Sequence, residues 1–229
     1  IPLLRTNVAS TRQLFGERHP KLANALHQLA SALRQSGDSA AAIPIFEETL
    51  GLYELNYGSD HNYVAVTLTG LAQSLSADGS DDLAIAALLR AQMIYASTLG
   101  PLHVHTALAT IALADARMSG DDLVGAEAGF RAALDAFAKI GDGKHIYAEA
   151  ARLGLGKVLA ASHRYAEAEV VLIEAKERFD SEFGEDDRRA IDTAAVLIHC
   201  LVEQGRRAQA SELFSASERA LSGASQDVS

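Results

Sequence analysis

The sequence predicts an all-α fold, a right-handed α-solenoid of about five tandem helix-turn-helix repeats. Three observations predict it. A period of 42 residues runs along the chain without insertion or deletion. Apolar residues inside each unit recur at helical spacing, as at Leu22, Leu26, Leu29 and Leu33. Glycines and capping residues punctuate each unit twice, once between its two helices and once after the second.

The period comes first, because an internal repeat decides the architecture before any local reading does. Leu29, Leu71, Leu113, Leu155 and Leu197 form one column, and Ala42, Ala84, Ala126, Ala168 and Ala210 a second. A third reads Phe46, Leu88, Phe130, Leu172, Phe214, and a fourth Tyr53, Tyr95, Phe137, Phe179, Leu221. His19, His61, His103 and His145 make a fifth, with Asp187 in the last copy. Unrelated amphipathic helices would share no fixed register.

Each unit divides into a helix A and a helix B. Helix A follows the His column, over 20–36, 62–77, 104–118, 146–161 and 188–204. Helix B covers 39–56, 81–98, 122–139, 164–182 and 206–222. The turn between them is expected at Gly37-Asp38, Gly79-Ser80, Gly120-Asp121, Ser162-His163 and Gly205-Arg206. Glycine there accepts the left-handed conformation, and Asp or Ser caps the next helix. Helix B ends at Gly58, Gly100, Gly141 or Gly143, and Gly184. Pro44 falls inside the first helix B, where it removes a hydrogen bond.

The columns also have packing roles. A small Ala at the start of helix B lets A and B approach closely. The Leu column and its small neighbour (Ala30, Ala72, Ala114, Gly156, then Ile198) fill the space between A and B. The two aromatic or aliphatic columns of helix B reach the following unit. One pair cannot bury its apolar face alone, so stacking supplies the core. Residues 1–15 are expected to be the tail of a preceding repeat helix, 16–222 the array, and 223–229 a polar tail.

At these positions the chain resembles the tetratricopeptide repeat family. The run Leu29-Ala30, Gly37-Asp38, Ala42, Phe46 carries the likeness. The 42-residue period and the linkers Gly58–Ala65 and Gly100–Ala107 resemble the kinesin-light-chain-like subtype, as does Gly16-Glu17-Arg18-His19-Pro20. The fourth linker, 141–145, is irregular. The paired Asn residues of that subtype's helix A are absent: His27-Gln28, Thr69-Gly70, Ile111-Ala112, Leu153-Gly154 and Ala195-Val196 stand there.

The resemblance implies a concave groove lined by helix A, with a protein or peptide as partner. By that analogy the groove residues are Asn24, His27 and Arg34, then Thr69 and Gln73, then Leu108, Ile111 and Asp115, then Leu153 and Lys157, and His199. An apolar or amphipathic segment is expected near Leu108, Ile111 and Leu153, with Asp115 and Lys157 fixing its register.

Charge and motifs exclude other classes. With 30 acidic and 20 basic residues the net charge is -10, and no Lys/Arg run exceeds two, which disfavours nucleic acid. No apolar run approaches the ~18 residues of a membrane span. Cys200 is the single cysteine, so no internal disulfide forms, in keeping with a cytoplasmic setting. His103 and His105 do not share a face at a helix start, and His103 is already explained by its repeat column, so the pair is not read as a metal site. Cys200 and His199, neighbours on a helix, diverge by about 100° and make no nucleophile–base pair. The acidic pairs Asp81-Asp82 and Asp121-Asp122 suit helix N-termini. Arg164, Arg188-Arg189 and Arg206-Arg207 read as solvated surface. No cofactor and no enzymatic activity are expected. The functional expectation is an interaction scaffold. The alternative is a regulatory repeat domain of a larger signalling protein, such as a bacterial kinase or ATPase, which a first residue other than Met accommodates. Self-association through array ends is a further expectation.

Overall fold

A computed structural model describes residues 1–141 and 145–224. The described residues form the helices α1 (Pro2–Phe15), α2 (Pro20–Gln35), α3 (Ser39–Tyr57), α4 (Asn62–Ala77), α5 (Asp81–Leu99), α6 (Val104–Ser119), α7 (Leu123–Ile140), α8 (Ile146–Ala161), α9 (Tyr165–Phe183), α10 (Arg188–Glu203) and α11 (Arg207–Ala224). The even-numbered helices are the helices A, and α3 to α11 in odd steps are the helices B. Of the expected polar tail, residues 225–229 lie outside the described residues, while the backbone of 223–224 continues α11. Gly143 of the fourth linker also lies outside them. The helix α3 runs on through Pro44.

The chain forms two compact units, residues 1–122 and 123–229. Within each, every helix packs on its neighbours in sequence. Successive helices A also touch, α2 on α4 and α4 on α6 in the first unit, α8 on α10 in the second. This is all-α helical-repeat solenoid packing, in which each layer buries the next.

The helix boundaries arise from three recurring devices. The first is the cap of helix A. His19, His61, His103 and His145 each place Nδ1 to accept a hydrogen bond from the backbone N–H two residues on, at 3.1, 3.1, 3.2 and 3.3 Å. Asp187 does the same through Oδ1, at 2.9 Å from Arg189 N. The break in the His column is therefore chemically conservative, since either side chain satisfies a backbone donor that the helix leaves unpaired.

The second device is the turn from A to B. Residues 37, 79, 121, 163 and 205 all have positive φ. At each turn the next residue's N–H bonds back to the helix, as from Asp38 to the Leu33 carbonyl at 2.9 Å and from Arg164 to the Leu159 carbonyl at 2.9 Å. In the third and fourth copies the left-handed residue is not glycine but Asp121 (φ 63°) and His163 (φ 58°). Gly120, expected to serve the third turn, has φ -81° and sits one position too early.

The third device is small-residue packing. Ala42, Ala84, Ala126 and Ala168 are fully buried, and the Leu column is buried throughout. Phe46, Leu88, Phe130 and Leu172 are buried, as are Tyr53, Tyr95, Phe137 and Phe179. Their counterparts on α11, Phe214 and Leu221, are about half exposed, at 52% and 48%. The expectation that these columns are covered by a following layer thus holds for four copies of five.

Three expectations about charge change. Arg164 pairs with Glu127 and Glu167, each at 2.7 Å. Arg206 pairs with Glu169 at 2.5 Å, and Arg189 with Asp187 at 2.8 Å. These arginines tie neighbouring helices or cap residues together, rather than standing as free surface charge.

Candidate functional site

In the first unit, helices α2, α4 and α6 present one face side by side. Two recesses run along it. One, of about 230 Å³, is lined by His27, Ser31 and Arg34 of α2, by Val66, Thr69, Gly70 and Gln73 of α4, and by Tyr95 and His105. The other, of about 290 Å³, is lined by Thr69, Gln73, Tyr95 and His105 again, with Leu108, Ala109, Ile111, Ala112 and Asp115 of α6. Thr69, Gln73, Tyr95 and His105 belong to both, so the recesses make one continuous groove. Seven of the eleven expected residues meet here: His27, Arg34, Thr69, Gln73, Leu108, Ile111 and Asp115.

The polar groups are fixed by their neighbours. The His27 ring meets Phe46 edge-on at 5.7 Å, and its Nδ1 lies 3.4 Å from the Thr67 hydroxyl. Burial, and then the nearby Arg34 charge, hold the His27 pKa below the usual histidine value. The Arg34 Nε is buried without a hydrogen-bond acceptor among the described residues. Burial raises the Tyr95 phenol, against the opposing pull of Thr69. Thr69 donates to the Ala65 carbonyl at 2.9 Å, which is ordinary for a helical threonine.

Two expected residues behave differently from expectation. Asn24 lines neither recess. Its Oδ1 accepts the Tyr53 hydroxyl hydrogen bond at 2.7 Å, which ties α2 to α3. Ile111 is buried, with 8% of its surface exposed, so it forms the groove's floor instead of a projecting contact. An aspartate there would be a core lesion, because a buried charge without a partner is costly.

Lys157 and His199 come together in the second unit. With Ala160, Ala161, His163, Tyr165, Ala195, Val196 and Glu203 they line a recess of about 700 Å³ between α8 and α10. Tyr165 meets His199 edge-on at 5.8 Å, and its hydroxyl lies 2.7 Å from His163 Nδ1. Leu153 is half-buried and is not part of this recess.

Sequence reasoning missed Tyr95, His105, His163, Tyr165 and Glu203 as lining residues. Tyr95 read as a core column, and His105 as part of a rejected metal pair. His163 carried a usable signal: it stands at a repeat position that is glycine in three other copies. Among the described residues no cluster of three or more His, Cys, Asp or Glu is placed to hold a metal. Cys200 is buried, and burial pushes its thiol pKa up.

The tetratricopeptide repeat family model matches residues 1–55 and 22–96. The 42-residue columns carry the same pattern onward through α11. Over the matched residues the chain is similar to the tetratricopeptide repeat family, and its helices have the fold of that repeat. Solved tetratricopeptide structures agree in fold. A chain of nearly identical TPR-like repeats from Podosopora anserina, described as a kinesin light chain, is 21% identical, with a TM-score of 0.73. That match covers 91% of this chain and 98% of the other. BtubC (BKLC) from P. vanneervenii is 19% identical with a TM-score of 0.80, over 98% of this chain and 90% of the other. The apo form of RapI is 13% identical with a TM-score of 0.67, over 95% and 88%. No curated protein of similar sequence was found. At these identities the likeness bears on the fold of the tetratricopeptide array alone. No described helix is long and apolar enough to cross a membrane.

Proposed function

We propose that this protein is an interaction scaffold, and that the groove across α2, α4 and α6 receives a peptide or helix of a partner protein. The observation that carries the reading is the continuity of the two recesses through Thr69, Gln73, Tyr95 and His105. The groove is graded. Its α2 end offers His27 and Arg34, and its α6 end offers Leu108 over the buried Ile111. A bound segment would put an apolar side chain against Leu108 and give a carbonyl or carboxylate oxygen to the half-buried Arg34 guanidinium at the α2 end. The second unit's recess, with Lys157 and His199, is a separate surface on this reading. Leu153 contributes to neither.

The test is selection of a displayed peptide library on the immobilised protein, followed by measurement of the selected peptides' Kd. Leu108→Asp and Gln73→Arg should each weaken binding tenfold or more, about 1.4 kcal/mol. Met93→Asp is the control, since Met93 is 68% exposed on α5 and lines neither recess. Selected peptides that bind both groove variants as tightly as the parent would refute the groove assignment.

A further inference from the structure

The repeat supplies its own comparison set at the linkers. Two columns meet where helix B hands over to helix A. The first reads Phe15, Tyr57, Leu99, Gly141, Phe183, and the second Lys21, Tyr63, His105, Tyr147, Arg189. At the first linker the Lys21 Nζ lies 4.3 Å from the centroid of the Phe15 ring. At the last, the Arg189 guanidinium carbon lies 3.7 Å from the centroid of Phe183. In both, a cation of the chain covers the aromatic face that closes helix B.

The second linker is built differently. It is the one copy with a ring in both columns, Tyr57 and Tyr63. Those rings meet edge-on at 5.4 Å. The His61 ring stacks on Tyr57 at 4.9 Å and lies 4.8 Å from Tyr63, and Tyr53 backs Tyr63 at 5.2 Å. Tyr57 and Tyr63 are 41% and 47% exposed. Among the described residues no Lys or Arg is seated over either ring. Asp60 stands next to His61 in the same linker, and the chain as a whole carries a charge of -10. The first and last linkers show what such a face holds, and in the second the chain's own cation is replaced by a second ring.

We propose that the Tyr57–Tyr63 cluster binds an arginine side chain supplied by a basic segment of a partner polypeptide. The proposal rests on the scaffold reading in that the arginine belongs to a protein partner, but it concerns a different surface from the groove. Arginine fits better than lysine because a planar, weakly hydrated guanidinium lies flat on an exposed ring. The chain's net charge of -10 adds a long-range attraction for a basic segment, although Arg90 holds the Ser59 carbonyl of the same linker at 3.2 Å.

The probe is the tripeptide acetyl-Gly-Arg-Gly-amide, compared with its citrulline counterpart, which keeps the shape and loses the charge. Both are titrated into protein carrying 3-fluorotyrosine, with the fluorine signals of Tyr57 and Tyr63 assigned by Tyr→Phe exchange. Arginine should shift those two signals saturably, with an affinity roughly two- to fivefold above citrulline's. Tyr63→Lys copies the first linker and should cover Tyr57 from within, abolishing the Tyr57 response. Tyr63→Phe keeps a ring and should preserve it. Three results would each overturn the proposal: equal affinity for the citrulline peptide, equal shifts at Tyr95, Tyr147 and Tyr165, or an undiminished Tyr57 response in Tyr63→Lys protein of parental helicity. The first two need no variant in the second column. Groove variants such as Leu108→Asp should leave this titration unchanged, so failure here and failure of the groove reading are separable.

Discussion

The Phe46 ring of α3 fills the space that a side chain at position 70 of α4 would need: a β-carbon on Gly70 would stand 2.7 Å from the ring's Cζ. Phe130 and Gly154 repeat the relationship in the second unit. One copy on from the first pair stand Leu88, smaller than Phe46, and Ala112, larger than Gly70, and both line one recess between α4 and α6. Ring size on helix B and residue size on the next helix A therefore compensate each other.

This yields a change of sign. Alanine is preferred to glycine in a helix by about 1 kcal/mol. Gly70→Ala should nevertheless destabilise the protein, because forcing a methyl against Phe46 costs about 1–3 kcal/mol. In a Phe46→Leu background the clash is gone, and Gly70→Ala should then stabilise. Urea denaturation of the two single variants and the double variant checks this as a double-mutant cycle. Additive effects would show that the two positions do not share the space.

Much of the fold was legible because each repeat column has one dominant physical reason. Leu29 and Ala42 are buried in every copy, so their pattern survives translation by 42 residues. Capping was legible in place but not in mechanism: the His column marked the linker, while the equivalence of His103 and Asp187 needed the Nδ1 and Oδ1 geometry. The turn at Asp121 was misplaced by one residue because Gly120 beside it was the stronger local signal. The groove was legible only in part. The family resemblance named Thr69 and Gln73, which line both recesses, but it could not tell floor from rim at Ile111. Nor could it find Tyr95, which enters from α5, or His105, in the first turn of α6. That information lies in contacts between layers, which no single helix encodes.

The cap equivalence predicts an exchange. His103→Ala should cost about 1 kcal/mol, because the His105 backbone N–H loses its acceptor. His103→Asp should recover most of that loss, as Asp187 does naturally in the last copy. Thermal unfolding of the three proteins decides it. Equal destabilisation by Ala and Asp would mean that ring packing, not capping, holds the linker.

The turn column predicts opposite effects of one exchange. At φ 80°, Gly79 has nothing within 4 Å of the β-carbon position, so Gly79→His meets only backbone strain. The expected loss is about 1–2 kcal/mol. His163→Gly should relieve the same strain, partly offset by the freer unfolded chain and by loss of the Tyr165 contact. A small gain in Tm, with helicity unchanged, is the expected result for the second variant.

His27 gives the array a pH dependence whose sign follows from its burial. Its folded-state pKa is lowered from 6.5, first by desolvation and then by Arg34. The unfolded chain therefore takes up a proton at a pH where the folded chain does not. By linkage, stability is fully present above about pH 6.5 and declines as pH falls from there towards the folded-state pKa. His27→Gln removes the titration and keeps a hydrogen-bonding side chain beside Thr67. Between about pH 7 and about pH 5.5 the parent should lose more stability than the variant, read from urea midpoints at each pH. Glu149 works against this trend. Burial raises its pKa despite Arg152 and Arg178, so its own contribution improves as the solution is acidified. The difference between parent and His27→Gln cancels that background and isolates the histidine. A difference that stays constant over the range would mean that His27 titrates alike in the folded and unfolded chains.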